Sequence, residues 1–425
     1  MRLLRVSVVM GVLATLPMLP VAQARQPQKG VASTGSMADV TLAIAGATNQ
    51  TPWVAASGSL VAVAWAATTA GKADIYTAMS RDGGLTFSSP VRVNTVAGEA
   101  RVNGELPPRV ALVPKPGGTE PEVVVLWNAK SGIAEIKIAR SRDGGRTFSM
   151  PAPLQGAGAE GERGWHSLTV DARGTAHAIW IDHRGLVSPP GAAPERKGEH
   201  DGVAMAQRSG VYYASSATAV IAERELFKGP CYCCKTAMTT GPDGTIYAAW
   251  RHVFAGNLRD MAFTASRDGG KTFSPIVRVN QDGWSINGCP DDGPAMAVDA
   301  KGAVHMVWPT VAGGTEGVLH YAVSRDGRSF SAPVRLPTLG SPKPSHPQIA
   351  IDGDSRVAVA WDEVRNGVRG AAFSRMTAGT FGPAQSFGTS GPSTYPVLAA
   401  AARGLVAVWA SGPPAQATIS VRAIP

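Results

Sequence analysis

An eight-residue pattern, Ser-Arg-Asp-Gly-Gly-x-Thr-Phe, is written at residues 80–87, 141–148 and 266–273. A version one residue shorter stands at 324–330 and a decayed one at 374–381. Self-similarity at this spacing restricts the chain to architectures built from one repeated supersecondary unit. Each full copy follows an alternating apolar stretch, as in Ile75-Tyr76-Thr77-Ala78 and Met261-Ala262-Phe263-Thr264. A second such stretch follows at residues 89–93 and 274–279. Asp and Gly-Gly between two strands are hairpin chemistry: glycine takes the φ > 0 positions and the carboxylate accepts backbone N–H groups.

A second signal keeps the same rhythm. Short apolar runs end in Trp65, Trp127, Trp180, Trp250, Trp308, Trp361 and Trp409, and most follow a Gly-led turn. Another strand precedes each turn, beginning near Pro52, Pro108, His166, Lys235, Pro294, Pro347 and Pro396. The unit is strand, turn, strand ending in Trp, loop, strand, Asp-containing hairpin, strand, which is a propeller blade. The tryptophans count seven blades, with six as the alternative if one unit is irregular. The last unit lacks a fourth strand, and residues 39–45 form a strand with no blade of its own. Pairing the two closes the ring and removes both open edges. The expected fold is an all-β propeller of four-stranded blades. Low charge (17%) with 49 glycines and 32 prolines agrees with many short strands and tight turns.

The N-terminus reads as an export signal over residues 1–24: Arg2 and Arg5, an apolar run, then Ala22-Gln23-Ala24. Residues 25–38 read as a flexible leader and 39–425 as one propeller domain. The expected location is periplasmic or secreted, with no transmembrane segment. A net charge of +9 favours acidic partners such as carboxylate sugars, phosphates or anionic surfaces, and an acidic glycan or a metal ion is the expected partner; no nucleic-acid partner is expected, and a monomer is.

The pattern resembles the Asp-box (BNR) repeats of the sialidase-like β-propeller superfamily. That resemblance implies that Asp82, Asp143, Asp268 and Asp326 are scaffold, on the face opposite any active site. With the boxes on one face, the inner-strand starts and the loops after each Trp share the other, a central funnel. The residues placed there are Trp165, His166, Cys231, Cys233, Cys234, Lys235, Cys289, Asp291, Asp292, His346 and Tyr395. The loops add Asp182, His183, Arg184, Arg251, His252, Asp362, Glu363 and Arg365, and a long loop at residues 185–207 is a candidate rim or lid. The Asp-box face offers nothing comparable.

All four cysteines fall before the first strand of adjacent units. Outside the cytoplasm they suit disulfides, such as Cys289 with one of the trio; alternatively, Cys231, Cys233, Cys234 and Cys289 with His166, His183 and His346 suit copper or zinc. A sialidase, by the resemblance, needs an arginine clamp, a tyrosine nucleophile and a carboxylic acid. Tyr395 stands at a matching place; Arg184, Arg251 and Arg365 suit the clamp and Asp182 or Glu363 the acid. The first strand, Gln50-Thr51-Pro52-Trp53-Val54, lacks the arginine that the family carries there. The leading expectation is an exported propeller binding a ligand or soft metal at a Cys/His-lined funnel. The alternatives are a glycoside hydrolase acting on acidic sugars and a non-catalytic scaffold.

Overall fold

The computed structural model describes residues 39–425, apart from residues 114, 116–119, 155–159, 188–200, 217–221, 287, 289, 312–315 and 388–390. The expected signal and leader segments, most of the 185–207 loop and Cys289 therefore lie outside the described residues.

The chain forms a seven-bladed β-propeller. Blade 1 runs from its inner strand outward as Thr48–Ser57, Leu60–Thr69, Lys72–Ser80 and Val91–Arg92. Blades 2 to 6 repeat this order, with inner strands Arg109–Val113, Arg163–Val170, Ala237–Thr240, Ala295–Val298 and Ser345–Ile351. Blade 7 takes Ser393–Ala401, Gly404–Ser411 and Thr418–Ile424 from the C-terminus and Val40–Leu42 from the N-terminus. The closing pair is antiparallel, Val40 opposite Val421 and Leu42 opposite Ile419. The Arg422 guanidinium grips both oxygens of Asp39 at 2.6 and 2.8 Å.

The tryptophan rhythm has one structural cause. All seven Trp side chains are fully buried, and each sits in its own apolar cluster at a blade–blade interface. Trp65 packs against Val406, Val408, Ile419 and Val421 of blade 7, and Trp127 against Ala62, Ala64 and Ile75 of blade 1. The second strand of each blade is covered on both faces by neighbouring blades, so it reads as a continuous apolar run rather than an alternating one.

The three full boxes fold alike. In the first, Ser80 Oγ accepts from Gly84 N (2.8 Å) and Asp82 Oδ1 from Leu85 N and Thr86 N (2.9 and 3.0 Å). Asp143 and Asp268 engage Thr147 and Thr272 in the same way. Residues 374–381 have no such aspartate and form a tight two-residue hairpin instead. Ala378 and Gly379 both lie at positive φ (50° and 80°), and Met376 pairs with Phe381.

Candidate functional site: a bulged, acid-rich cleft at the funnel mouth

Four inner strands slip register by one residue as they begin, between Gln50 and Trp53, Gly164 and Ser167, Ser345 and Gln348, and Thr394 and Val397. Each slip contains a non-glycine residue in the left-handed region: Thr51, Trp165, His346 and Tyr395. Asp291, just before the inner strand of blade 5, has φ 53° as well. Such a conformation costs about 1–3 kcal/mol per residue and re-aims the side chain. Here it turns His346, Tyr395 and Asp291 into one cleft.

That cleft has a volume of about 560 Å³ and is lined by Arg251, Trp284, Asp291, Asp292, Lys343, His346, Arg369 and Tyr395, among others. Its floor is a buried polar network. Lys235 Nζ donates to Asp292 Oδ1 at 2.7 Å and lies 3.7 Å from Glu105 Oε1. Asp292 Oδ2 accepts the His346 backbone N–H at 2.7 Å. The His346 Nδ1 sits 2.9 Å from Asp362 Oδ1, and Asp362 also accepts from Tyr395 N (2.8 Å) and Arg369 Nη1 (2.5 Å). The His346 and Tyr395 rings lie 4.4 Å apart. Gly104 is required beneath them, since a Cβ there would fall 2.0 Å from the Tyr395 hydroxyl. Below, inner-strand residues from all seven blades line an axial channel of about 360 Å³.

The network sets the protonation states. Burial favours a neutral His346 ring, but Asp362, Asp292 and Glu105 outweigh it and hold the pKa above its ordinary value. Burial, then the Asp362 and Glu105 charges, push the Tyr395 phenol up to about 12. Desolvation at the wall and then the Asp292 charge raise Asp291. Burial also raises Glu105, against the Lys235 ammonium. The cleft thus presents an imidazole whose protonated form is favoured, a neutral phenol and, in Asp291, a carboxylate more basic than usual.

The other residues singled out from sequence fall into separate places. Asp182 accepts from Arg163 Nε, Trp180 Nε1 and three Arg184 N–H groups at 2.8–3.2 Å. It is a saturated lock in blade 3, held below the ordinary carboxylate range by Arg184 and Arg163 against the effect of burial. Glu363 accepts the Trp361 indole N–H at 2.8 Å, and the exposed Arg365 lies 3.9 Å from it. Of the three arginines expected to form a clamp, Arg251 lines the cleft, and it spends its donors on the carbonyls of Asp292, Arg259 and Pro309. Arg184 is committed to Asp182 and Glu223.

The cysteine run abuts the cleft's back wall. The sulfurs of Cys231, Cys233 and Cys234 lie within 4.8 Å of one another, and no His, Asp or Glu among the described residues joins them. Cys233 is disulfide-bonded, whereas Cys231 and Cys234 are free. Their sulfurs are 3.3 Å apart, closer than the ~3.8 Å that two thiolates on a tetrahedral zinc would keep with 2.3 Å bonds. His166 is buried, and its pKa is pushed down to about 3 by burial and then the Arg109 charge, against its contacts with the backbone of Pro107 and Leu126. His183 packs on Trp165 at 5.0 Å. The donor set therefore does not fit a tetrahedral metal centre.

The opposite face is less empty than expected. A larger depression, about 760 Å³, lies between blades 3 and 4 beside Asp171, Arg173, Asp243, Arg267 and Asp268. Of its four carboxylates, Asp171, Asp243 and Asp268 are engaged by their own turn N–H groups and Glu223 pairs with Arg184 at 2.8 Å, so we assign it to scaffold. Sequence reasoning missed Trp284, Lys343 and Arg369 in the cleft and Glu105 in the network beneath it. For Glu105 and Lys343 a signal existed: each stands just before an inner strand, beside the proline-bounded starts 107–108 and 344–347.

No family model matches the chain, and no curated protein matches it significantly. Solved structures do. A Dyadobacter fermentans protein of unknown function is 16% identical with a TM-score of 0.51, covering 92% of this chain and 99% of its own. An ulvan lyase, a polysaccharide lyase, is 11% identical with a TM-score of 0.55, over 91% and 94%. A Hadza microbial sialidase is 13% identical with a TM-score of 0.49, over 87% and 74%. At these identities the likeness establishes the fold alone.

Proposed function

We propose that this chain is an exported propeller that binds an acidic saccharide in the funnel cleft and cleaves it by proton transfer, as a lyase-type elimination. The observation that carries the reading is the strained placement of His346 and Tyr395 side by side, one held by a buried carboxylate and both facing the cleft. Strain persists where the surroundings over-determine it, and it clusters at active sites. Trp284 offers an apolar face for a sugar ring, and Lys343, Arg369 and the His346 ring, whose protonated form is favoured, offer positive charge to a carboxylate or sulfate. Asp291 makes no hydrogen bond among the described residues and has a raised pKa, which suits the base that removes the proton α to a uronate carboxylate. Tyr395, a neutral phenol, suits the acid that protonates the leaving oxygen, and the cations stabilise the charge that develops between them. The ulvan lyase supports this choice over hydrolysis only as a precedent for such chemistry on a propeller.

The test is a titration with uronate oligosaccharides and their neutral reduced analogues. Acidic ligands should bind, and Lys343→Ala with Arg369→Ala should weaken them roughly tenfold while leaving neutral analogues unaffected, a difference of about 1.4 kcal/mol. Equal binding of both ligand types, or equal loss of both, would remove the acidic-ligand reading.

A further inference from the structure

The proposed function leaves one buried nucleophilic pair unused. Arg259 is fully buried and donates to Asn257 Oδ1 (3.1 Å), to Ile286 O (3.0 Å) and, through Nη1, to Cys231 Sγ at 3.5 Å. Arg251, equally buried, spends its donors on three carbonyls. Neither guanidinium has a carboxylate within salt-bridge distance among the described residues, although Arg278, Arg163 and Arg422 all do. A guanidinium does not lose its proton in a protein, and a buried charge without a counter-charge is strongly disfavoured. Among the described residues, the ionisable group that Arg259 contacts is the Cys231 thiol, and charge balance between them favours a thiolate there. Cys234 Sγ donates to that sulfur at 3.3 Å, which completes a thiol–thiolate pair.

The backbone holds the pair in reach. Cys231 and Cys234 are the ends of a Cys-x-x-Cys turn closed by Cys234 N donating to Cys231 O at 3.4 Å. The turn is pinned to blade 4 by Cys231 N donating to Arg251 O at 2.8 Å. Leu106, Trp165 and Ile181 wall it off from solvent. Both sulfurs are fully buried, which excludes a protein disulfide as reaction partner but leaves a reagent the size of a small peroxide.

We propose that Cys231 and Cys234 are a redox couple in which Cys231 is oxidised by a small hydroperoxide and Cys234 resolves the product to a disulfide. The Cys231 thiolate attacks the terminal peroxide oxygen, the O–O bond breaks, and the released alkoxide or hydroxide takes a proton to leave as alcohol or water. The Cys231 sulfur now carries a hydroxyl. Cys234, losing its proton, attacks that sulfur, the S–O bond breaks and the hydroxyl leaves as water. Two electrons pass from the two sulfurs to the peroxide, and one thiol, one thiolate, one hydroperoxide and one proton yield one disulfide, one alcohol and one water. This inference is independent of what the cleft binds.

The experiment uses the full mature chain, mildly reduced, then exposed natively to hydrogen peroxide and read by intact mass and by maleimide labelling after denaturation. The expected result is a loss of about 2 Da and of two maleimide adducts, both reversed by a dithiol reductant. Cys231→Ser should react roughly tenfold or more slowly, and Cys234→Ser should stop at a sulfenic acid that dimedone traps. Oxidation no faster than in the unfolded chain, or mass gains of oxygen in the wild type with no loss of 2 Da, overturns the proposal. So does a copper or zinc ion, one per purified wild-type chain, that Cys231→Ser no longer holds. The wild-type mass and adduct counts decide the matter even where a variant fails to fold.

Discussion

Replacing Asp362 tests whether the cleft is built as described. This carboxylate is fully buried and holds three partners: His346 Nδ1 at 2.9 Å, the Tyr395 backbone N–H at 2.8 Å and Arg369 Nη1 at 2.5 Å. Asp362→Ala strands a buried N–H and leaves His346, where protonated, short of its nearest counter-charge, which together cost about 3–5 kcal/mol. Unfolding entropy of about 2 cal/mol/K per residue over roughly 390 residues converts this to a fall in Tm of ~4–6 °C. Asp362→Asn keeps an acceptor for Tyr395 N and removes only the charge, so its loss should be smaller and pH-dependent. The sign follows from His346. Its pKa in the folded protein is raised, so the stability from its protonation is complete below the unfolded value of about 6.5 and disappears as pH rises through the folded value. The Tm gap between wild type and Asp362→Asn should therefore be widest at acid pH and narrow on the alkaline side. Glu105 and Asp292 also face the ring and remain in both proteins, so the difference isolates Asp362. Thermal melts by circular dichroism across that range supply the measurement. A gap that widens with pH, or an Asp362→Ala Tm within a degree of wild type, would refute the reasoning.

Two further outcomes follow from the fold and a third from the export signal expected at residues 1–24. Asp143→Ala should cost about 1 kcal/mol, discounted because the carboxylate is solvent-accessible, and should leave ligand binding unchanged; chemical denaturation beside a binding titration checks both. Deleting residues 39–45 exposes the edge of Thr418–Ile424 and removes the Asp39–Arg422 clasp, so the melting transition should drop sharply and the protein should aggregate on heating, read by light scattering. Material recovered from outside the cytoplasm should begin at Arg25 by intact mass.

Much of this architecture is legible in the sequence, because the period of the blade is written twice, in the hairpin motif and in the tryptophans. The site is less so, and the reason is the two-residue period of a strand. Residues two apart share a face. Asp182, His252 and Glu363 each stand two after a Trp, on the face of the buried indole, and each receives that indole's N–H. They are acceptors for the core, although their charge drew attention to the first and last as catalytic acids. Residues one after a Trp face the other way, and there stand Arg251 and Asp362, which border or support the cleft. Alternation alone could have sorted them. The bulges could not be read so simply: a left-handed His346 or Tyr395 carries no local sequence mark beyond the proline that follows each, which restricts the preceding residue but does not announce a slip. Glu105 and Lys235 lie 130 positions apart and meet only because the ring brings blades 2 and 4 to one axis.

The account turns on proton transfer in the cleft, and the most direct test is to incubate the mature protein with uronate-containing polysaccharides, sulfated and unsulfated, and follow ultraviolet absorbance from a conjugated, unsaturated uronate end. The account predicts such absorbance for at least one acidic polymer, with its loss in Tyr395→Phe and in Asp291→Asn while both variants stay folded and bind. New reducing ends without that absorbance, or activity undiminished in both variants, would contradict it.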